Sequence, residues 1–151
     1  MLSLYREVSA GTYVSYKEYG VEDGLLPIVT THDGVLGEVV ETKIYVRNDD
    51  VDEFYTDITV VPICLTSPDE VDGVTSGHGM KLRTGKTRPT EAEWEATDYA
   101  NTISLDDIGA SGAGDANTYL PVWYRVECPA GASADNKENV VLRIYSTAHP
   151  V

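Results

Sequence analysis

The sequence predicts an all-β chain: an antiparallel β-sandwich with one short helix in a loop and an irregular N-terminal arm. Three observations carry that expectation. Four segments alternate apolar and polar residues with a period of two, as strands do when one face lies on a core. The stretches between them are dense in turn-forming Gly, Pro, Asn, Asp and Ser. A single short stretch carries helix-start signals. At 151 residues the chain is most simply one domain. A chain of that size buries roughly 68–70% of its unfolded surface and needs neither metal nor disulfide to hold a core.

Residues 1–26 stand apart because they lack a sustained alternation. Tyr5, Tyr13, Tyr16 and Tyr19 place four of the ten tyrosines there, ahead of the turn GVEDG. They read either as an arm folded over its own sandwich or as one that docks on a neighbour, since tyrosine is enriched in interface cores. Docking is the expectation for this segment.

The sandwich then occupies residues 27–151. In EVVETKIYVRN, Val40, Thr42, Ile44 and Val46 share a face, with Glu41, Lys43 and Arg47 opposite. In FYTDITVVPICL, Ile58, Val60 and Cys64 point inward, and Pro62 marks a bulge or an edge. The third run turns Leu120, Val122, Tyr124, Val126 and Cys128 inward, and Trp123, Arg125 and Glu127 outward. The fourth turns Val140, Leu142 and Ile144 inward, and Arg143 and Tyr145 outward. The third and fourth runs read as one hairpin, Tyr119–Ser146, across which Tyr145 lies near Trp123. Shorter candidates are Pro27–Thr31, Met80–Arg83 and Thr102–Leu105, seven strands in all. An insertion over about 66–102 carries the helix signal RPTEAEWEAT, where Thr90 and Glu93 form a capping box and Glu91 sits near the positive end of the helix dipole.

Charge narrows the functions. Twenty-five acidic residues against eleven basic ones give a net charge of −14. Such a field repels phosphate backbones and anionic bilayers, so neither nucleic acid nor membrane is an expected partner. Cys64 and Cys128 are too few for a disulfide framework and too isolated for a zinc site, and both read as buried free thiols of a reducing compartment. The N-terminus has Arg6 and Glu7 where a signal peptide needs its apolar run.

Motifs for chemistry fail one by one. GMKLRTGKT resembles a phosphate-binding loop but spaces its glycines one residue too far apart and follows no βαβ pattern. GASGAGDAN has the glycines of a dinucleotide turn without a following helix. His32, His78 and His149 are scattered, and none has a second histidine at ligand spacing. Asn48, Asp49, Asp50, Asp52 and Glu53 crowd one loop, as a calcium site would, but no glycine permits the EF-hand turn. No catalytic, cofactor-binding or metal-ligating residue is nominated. Trp123 reads either as covered by the arm or the Trp94 helix, or as an exposed aromatic at an interface or a sugar-stacking platform.

Two patterns carry a resemblance. LPVWYRVECPAG, a polar turn, then ENVVLRIYS is similar to the closing hairpin of immunoglobulin-like domains in accessory virion proteins of tailed bacteriophages. GEVVETKIYVRNDD followed by YTDITV resembles the early strand, polar turn and next strand of the same domains. The similarity covers roughly Thr30–Ser146 in outline. It implies a non-enzymatic virion structural protein, made in the bacterial cytoplasm, with other virion subunits and further copies of itself as partners. Capsid decoration is the first expectation, a tail or baseplate subunit the second. A carbohydrate-binding module with Trp123, Trp94 and nearby tyrosines as its platform is a third. The residues expected at an interface are Tyr5, Tyr13, Tyr16, Tyr19, Trp123 and Arg125.

Overall fold

The structure, a computed structural model, describes residues 2–15, 25–27, 37–64, 71, 79–109, 119–131 and 140–151. Alternation in the chain becomes two antiparallel sheets packed on one apolar core, with little helix. Sheet A is five-stranded, in the order β2(Thr12–Ser15), β1(Leu2–Ser9), β4(Glu38–Asn48), β8(Leu120–Cys128), β6(Gly79–Thr84). Sheet B is four-stranded, in the order β3(Leu25–Pro27), β9(Val140–Pro150), β5(Glu53–Cys64), β7(Ile103–Ser104). The helix α1 (Glu91–Glu95) follows β6.

The inward faces are those the alternation assigns. Ile44 and Val46 of β4 and Val122 and Tyr124 of β8 meet Ile58 and Val60 of β5 and Leu142 of β9 in one buried cluster. Cys128 is buried, and Cys64 is half-buried against that core. The irregularity of β5 lies at Thr56–Thr59, where Asp57 takes φ 52, and not at Pro62. Pro62 lies past the two-residue pairing with β7, so among the described residues that side of β5 is a local edge that a missing N–H does not disturb.

Two expectations need correction. Residues 2–15 are not irregular: β1 and β2 form a hairpin, and β1 runs antiparallel to β4 with Leu4 opposite Val46. Leu2 and Leu4 enter the core cluster, so this segment is part of sheet A and not an appendage to it. Only two apolar positions alternate there, too short a run to be recognised as a strand. The proposed boundary at residue 26 also falls inside β3.

The second correction concerns Tyr119–Ser146, which is no hairpin. β8 pairs with β4 and β6, whereas β9 pairs with β5 and β3 in the other sheet. From β3 onward each strand lies in the sheet opposite its predecessor. An immunoglobulin domain keeps its last two strands in one sheet. The likeness therefore holds for two antiparallel layers and not for strand order. Turn composition marks where a chain reverses, and is silent on whether the next strand pairs beside its predecessor or across the core. Tyr145, half-exposed on sheet B, consequently lies on the opposite side of the sandwich from Trp123.

Candidate functional site

The outer face of sheet A gathers the aromatic and charged residues. Register decides this: Tyr5 lies opposite Tyr45, Glu7 opposite Tyr13, Lys43 opposite Trp123 and Glu41 opposite Arg125. All of them point away from Ile44, Val46 and Val122, which fill the core.

One half of the face is a layer of tyrosines. Tyr13 and Tyr119 stack with ring centroids 3.8 Å apart and planes 14° from parallel. Tyr5 meets Tyr119 edge-on at 5.5 Å, and Tyr45 meets Tyr13 edge-on at 4.9 Å. The two edge-on contacts are the geometry that the aromatic quadrupole favours. The hydroxyls are anchored. Tyr5 donates to the Asp49 carboxylate at 2.7 Å, Tyr45 donates to Glu7 at 3.1 Å, and Tyr119 accepts from Arg47 at 2.7 Å. The Arg47 guanidinium lies over both the Tyr5 and Tyr119 rings. Burial, then the hydrogen bond to Asp49, pushes the Tyr5 phenol up to about 12. Burial also raises Tyr13 and Tyr45. Tyr45 is buried, while Tyr5, Tyr13 and Tyr119 remain half-buried.

The other half lies under α1. Thr90 caps the helix reciprocally with Glu93, as the capping box in the sequence predicts. The helix is only five residues long and has no basic residue in its last turn. Strand β6 supplies the missing cations: Lys81 Nζ donates to the Trp94 carbonyl at 3.0 Å, and Arg83 donates to the Glu93 carbonyl at 3.1 Å. Trp94 is thereby pressed onto the sheet and is 1% exposed, which removes it as a sugar-stacking platform.

Arg125, 7% exposed, latches the helix to the sheet. Its two terminal nitrogens donate to both Glu91 oxygens at 2.7 Å, a bidentate pairing that lowers the pKa of Glu91. Glu41 stands 3.5 Å away, and Glu127 lies 3.0 Å from Nε. A guanidinium so placed is engaged inside the chain, and Arg125 could meet a partner only by releasing Glu91.

Between the latch and the sheet runs an open groove of about 470 Å³, lined by Val39, Glu41, Arg88, Glu91, Trp123 and Arg125. Trp123 is half-buried and forms its wall. Its indole N–H donates to the Gly85 carbonyl at 2.9 Å, and the Lys43 ammonium lies 5.3 Å from the ring centre. Arg88 spans the groove to Glu41 at 2.6 Å.

Of the residues nominated for an interface, Tyr5, Tyr13, Trp123 and Arg125 thus share one face, in two neighbouring patches. Tyr16 and Tyr19 lie outside the described residues, as do His32 and His78. His149 stacks on Phe54 and shares a hydrogen bond with Thr56 on the opposite sheet. The acidic loop already engages its oxygens: Asn48 Oδ1 accepts from Asp50 N, Asp50 Oδ1 from Asp52 N, Asp49 from the Tyr5 hydroxyl and Glu53 from the Tyr55 hydroxyl. Among the described residues no group of three His, Cys, Asp or Glu side chains is placed to hold a metal. GMKLRT forms the edge strand β6 rather than a phosphate-binding loop. Among the described residues no helix is long and apolar enough to cross a membrane. Sequence reasoning missed Tyr45, Tyr119 and Arg88, which join the site across 38 to 72 residues of chain, without a local signal. Comparison with protein-family models, with curated proteins and with solved structures finds no match to this chain.

Proposed function

We propose that the chain is a non-enzymatic structural protein that docks the outer face of sheet A onto other proteins, as a decoration subunit on the head of a tailed bacteriophage. One observation carries the docking part of this reading: the layer formed by Tyr5, Tyr13, Tyr45 and Tyr119, held flat by strands and by anchored hydroxyls. Tyrosine supplies large amphipathic contact area at small conformational cost, and rings already fixed before binding lose little further freedom. The bacteriophage setting rests on the resemblance of the two sequence patterns alone, since the strand order departs from that of an immunoglobulin domain, and the net charge of −14 suits a surface facing solvent.

Because β1 is part of the sandwich, removal of residues 1–29 is not a clean test. Point substitutions are. The full chain should co-sediment with isolated heads of the phage that encodes it, while Tyr13→Ala and Tyr119→Ala bind roughly 30-fold more weakly, the loss typical of an interfacial hot spot. Circular dichroism would verify that both variants remain folded. Sedimentation with isolated tails instead of heads would move the protein to the tail or baseplate. Failure to bind either would overturn the reading.

A further inference from the structure

The groove beside the tyrosine layer has a chemistry of its own. Its charges cancel within its walls: Arg88 pairs with Glu41 at 2.6 Å, and Arg125 pairs with Glu91 through two bonds of 2.7 Å. A free phosphate, carboxylate or ammonium would find each charge of the lining already compensated by its partner, and so gains little net attraction. A neutral ligand does not depend on such attraction.

What the walls offer a neutral ligand is specific. Trp123 presents an indole held in one orientation by its bond to Gly85. The Arg88 side chain is 71% exposed and that of Glu91 65% exposed, a donor and an acceptor facing the same opening. Among the described residues Arg88 gives Glu41 only its Nε, which leaves its terminal amino groups able to donate. Val39, 45% exposed, adds one apolar side chain to the lining. A fixed aromatic plane beside fixed donors and acceptors complements a molecule with C–H faces and hydroxyl edges.

We infer that this groove is a binding site for a neutral saccharide. One sugar ring lies with its C–H face on Trp123, and its hydroxyls donate to Glu91 and accept from Arg88. Trp94 takes no direct part, being sealed beneath the helix. A pocket of about 470 Å³ lies within the range for small-molecule sites, which suits two or so sugar rings. The inference does not depend on the tyrosine layer or on a virion role, and each can fail without the other.

The test is a titration of the full chain with cellulose-, starch- and chitin-derived oligosaccharides, read by tryptophan fluorescence and calorimetry. The expected result is saturable binding to at least one of them, with an emission change arising from Trp123. Trp123→Ala should abolish both signals. Arg88→Ala alters a largely exposed side chain, should fold normally, and should weaken binding about tenfold, the loss of one hydrogen bond to a charged group. Titration with inorganic phosphate should show no saturable binding. Absence of saturable binding by every sugar at millimolar concentration would overturn the proposal, as would unchanged affinity in a folded Trp123→Ala variant. Phosphate binding tighter than sugar would overturn the charge-balance argument.

Discussion

Asn101 closes an edge of sheet A, and its removal should cost the fold measurably. Among the described residues the outer edge of β6 has no neighbouring strand, yet the main-chain groups of Met80 and Leu82 are met. Asn101 Oδ1 accepts from Leu82 N at 2.8 Å, and Asn101 Nδ2 donates to Leu82 O at 2.9 Å, as a paired strand would. Ala100 N donates to Met80 O at 2.8 Å, and Met80 N to Val71 O at 3.1 Å. To bring Asn101 alongside, the chain holds Ala100 at φ 55, a left-handed conformation that costs an alanine about 1–2 kcal/mol. Asn101→Ala leaves the N–H and the C=O of Leu82, a fully buried residue, without partners. Each unmet group costs about 1–3 kcal/mol, and water entering beside the half-buried position 101 keeps both toward the lower end. The expected loss is about 2–4 kcal/mol, or roughly 4–16 °C in Tm for a domain of this length. Urea denaturation with an unchanged m-value would measure it. Asn101→Asp should be at least as damaging, because a carboxylate would face the Leu82 carbonyl. Both variants should also associate with rising concentration, since an open edge is a template for pairing. A Tm within a degree or two of the parent, with unaltered hydrogen exchange at Leu82, would refute the reasoning.

Three further outcomes follow from the same geometry. Leu4→Ala, in the core cluster opposite Val46, should destabilise by about 2–5 kcal/mol in denaturant unfolding, whereas a detachable arm would show almost no change. Arg125→Met should unlatch α1 and leave Glu41 and Glu127 less compensated, lowering stability measurably in denaturant unfolding, with Trp94 emission shifting to the red as water reaches it. In alkali, Tyr5, Tyr13, Tyr45, Tyr55, Tyr99 and Tyr124 all have raised pKa values. A raised folded-state value stabilises the fold fully below the ordinary tyrosine pKa of about 10. That contribution is lost as pH climbs through the folded values, so absorbance at 295 nm should rise late and together with unfolding. A single ionisation wave near pH 10 in a folded chain would contradict it.

Much of the architecture was legible because the buried faces repeat. Ile44 and Val46, Ile58 and Val60, and Val122 and Tyr124 alternate with polar partners over long runs, and they form the core. The helix start was legible because the Thr90–Glu93 box spans three residues and acts locally. What stayed hidden is non-local. Nothing near Arg125 announces Glu91, 34 residues away, and nothing in a polar linker reveals that β9 joins β5 rather than β8. The tyrosines were noticed as a composition, but their function as a layer depends on β1 lying beside β4, which two leucines alone could not signal.

The alternation of strands between sheets also sets when the molecule can exist. β9 is the only named partner of β3 and the main partner of β5, and it follows every other named strand in chain order. β5 ends at Cys64 and β9 at Pro150, so at about 5–20 residues per second roughly 4–17 seconds separate their synthesis. Throughout that interval Ile58 and Val60 have no completed sheet to bury them. Neighbouring nascent chains on one messenger would expose the same apolar strands to each other. The charge of −14 acts there as well as on the finished surface, holding unfinished chains apart while the closing strand is synthesised.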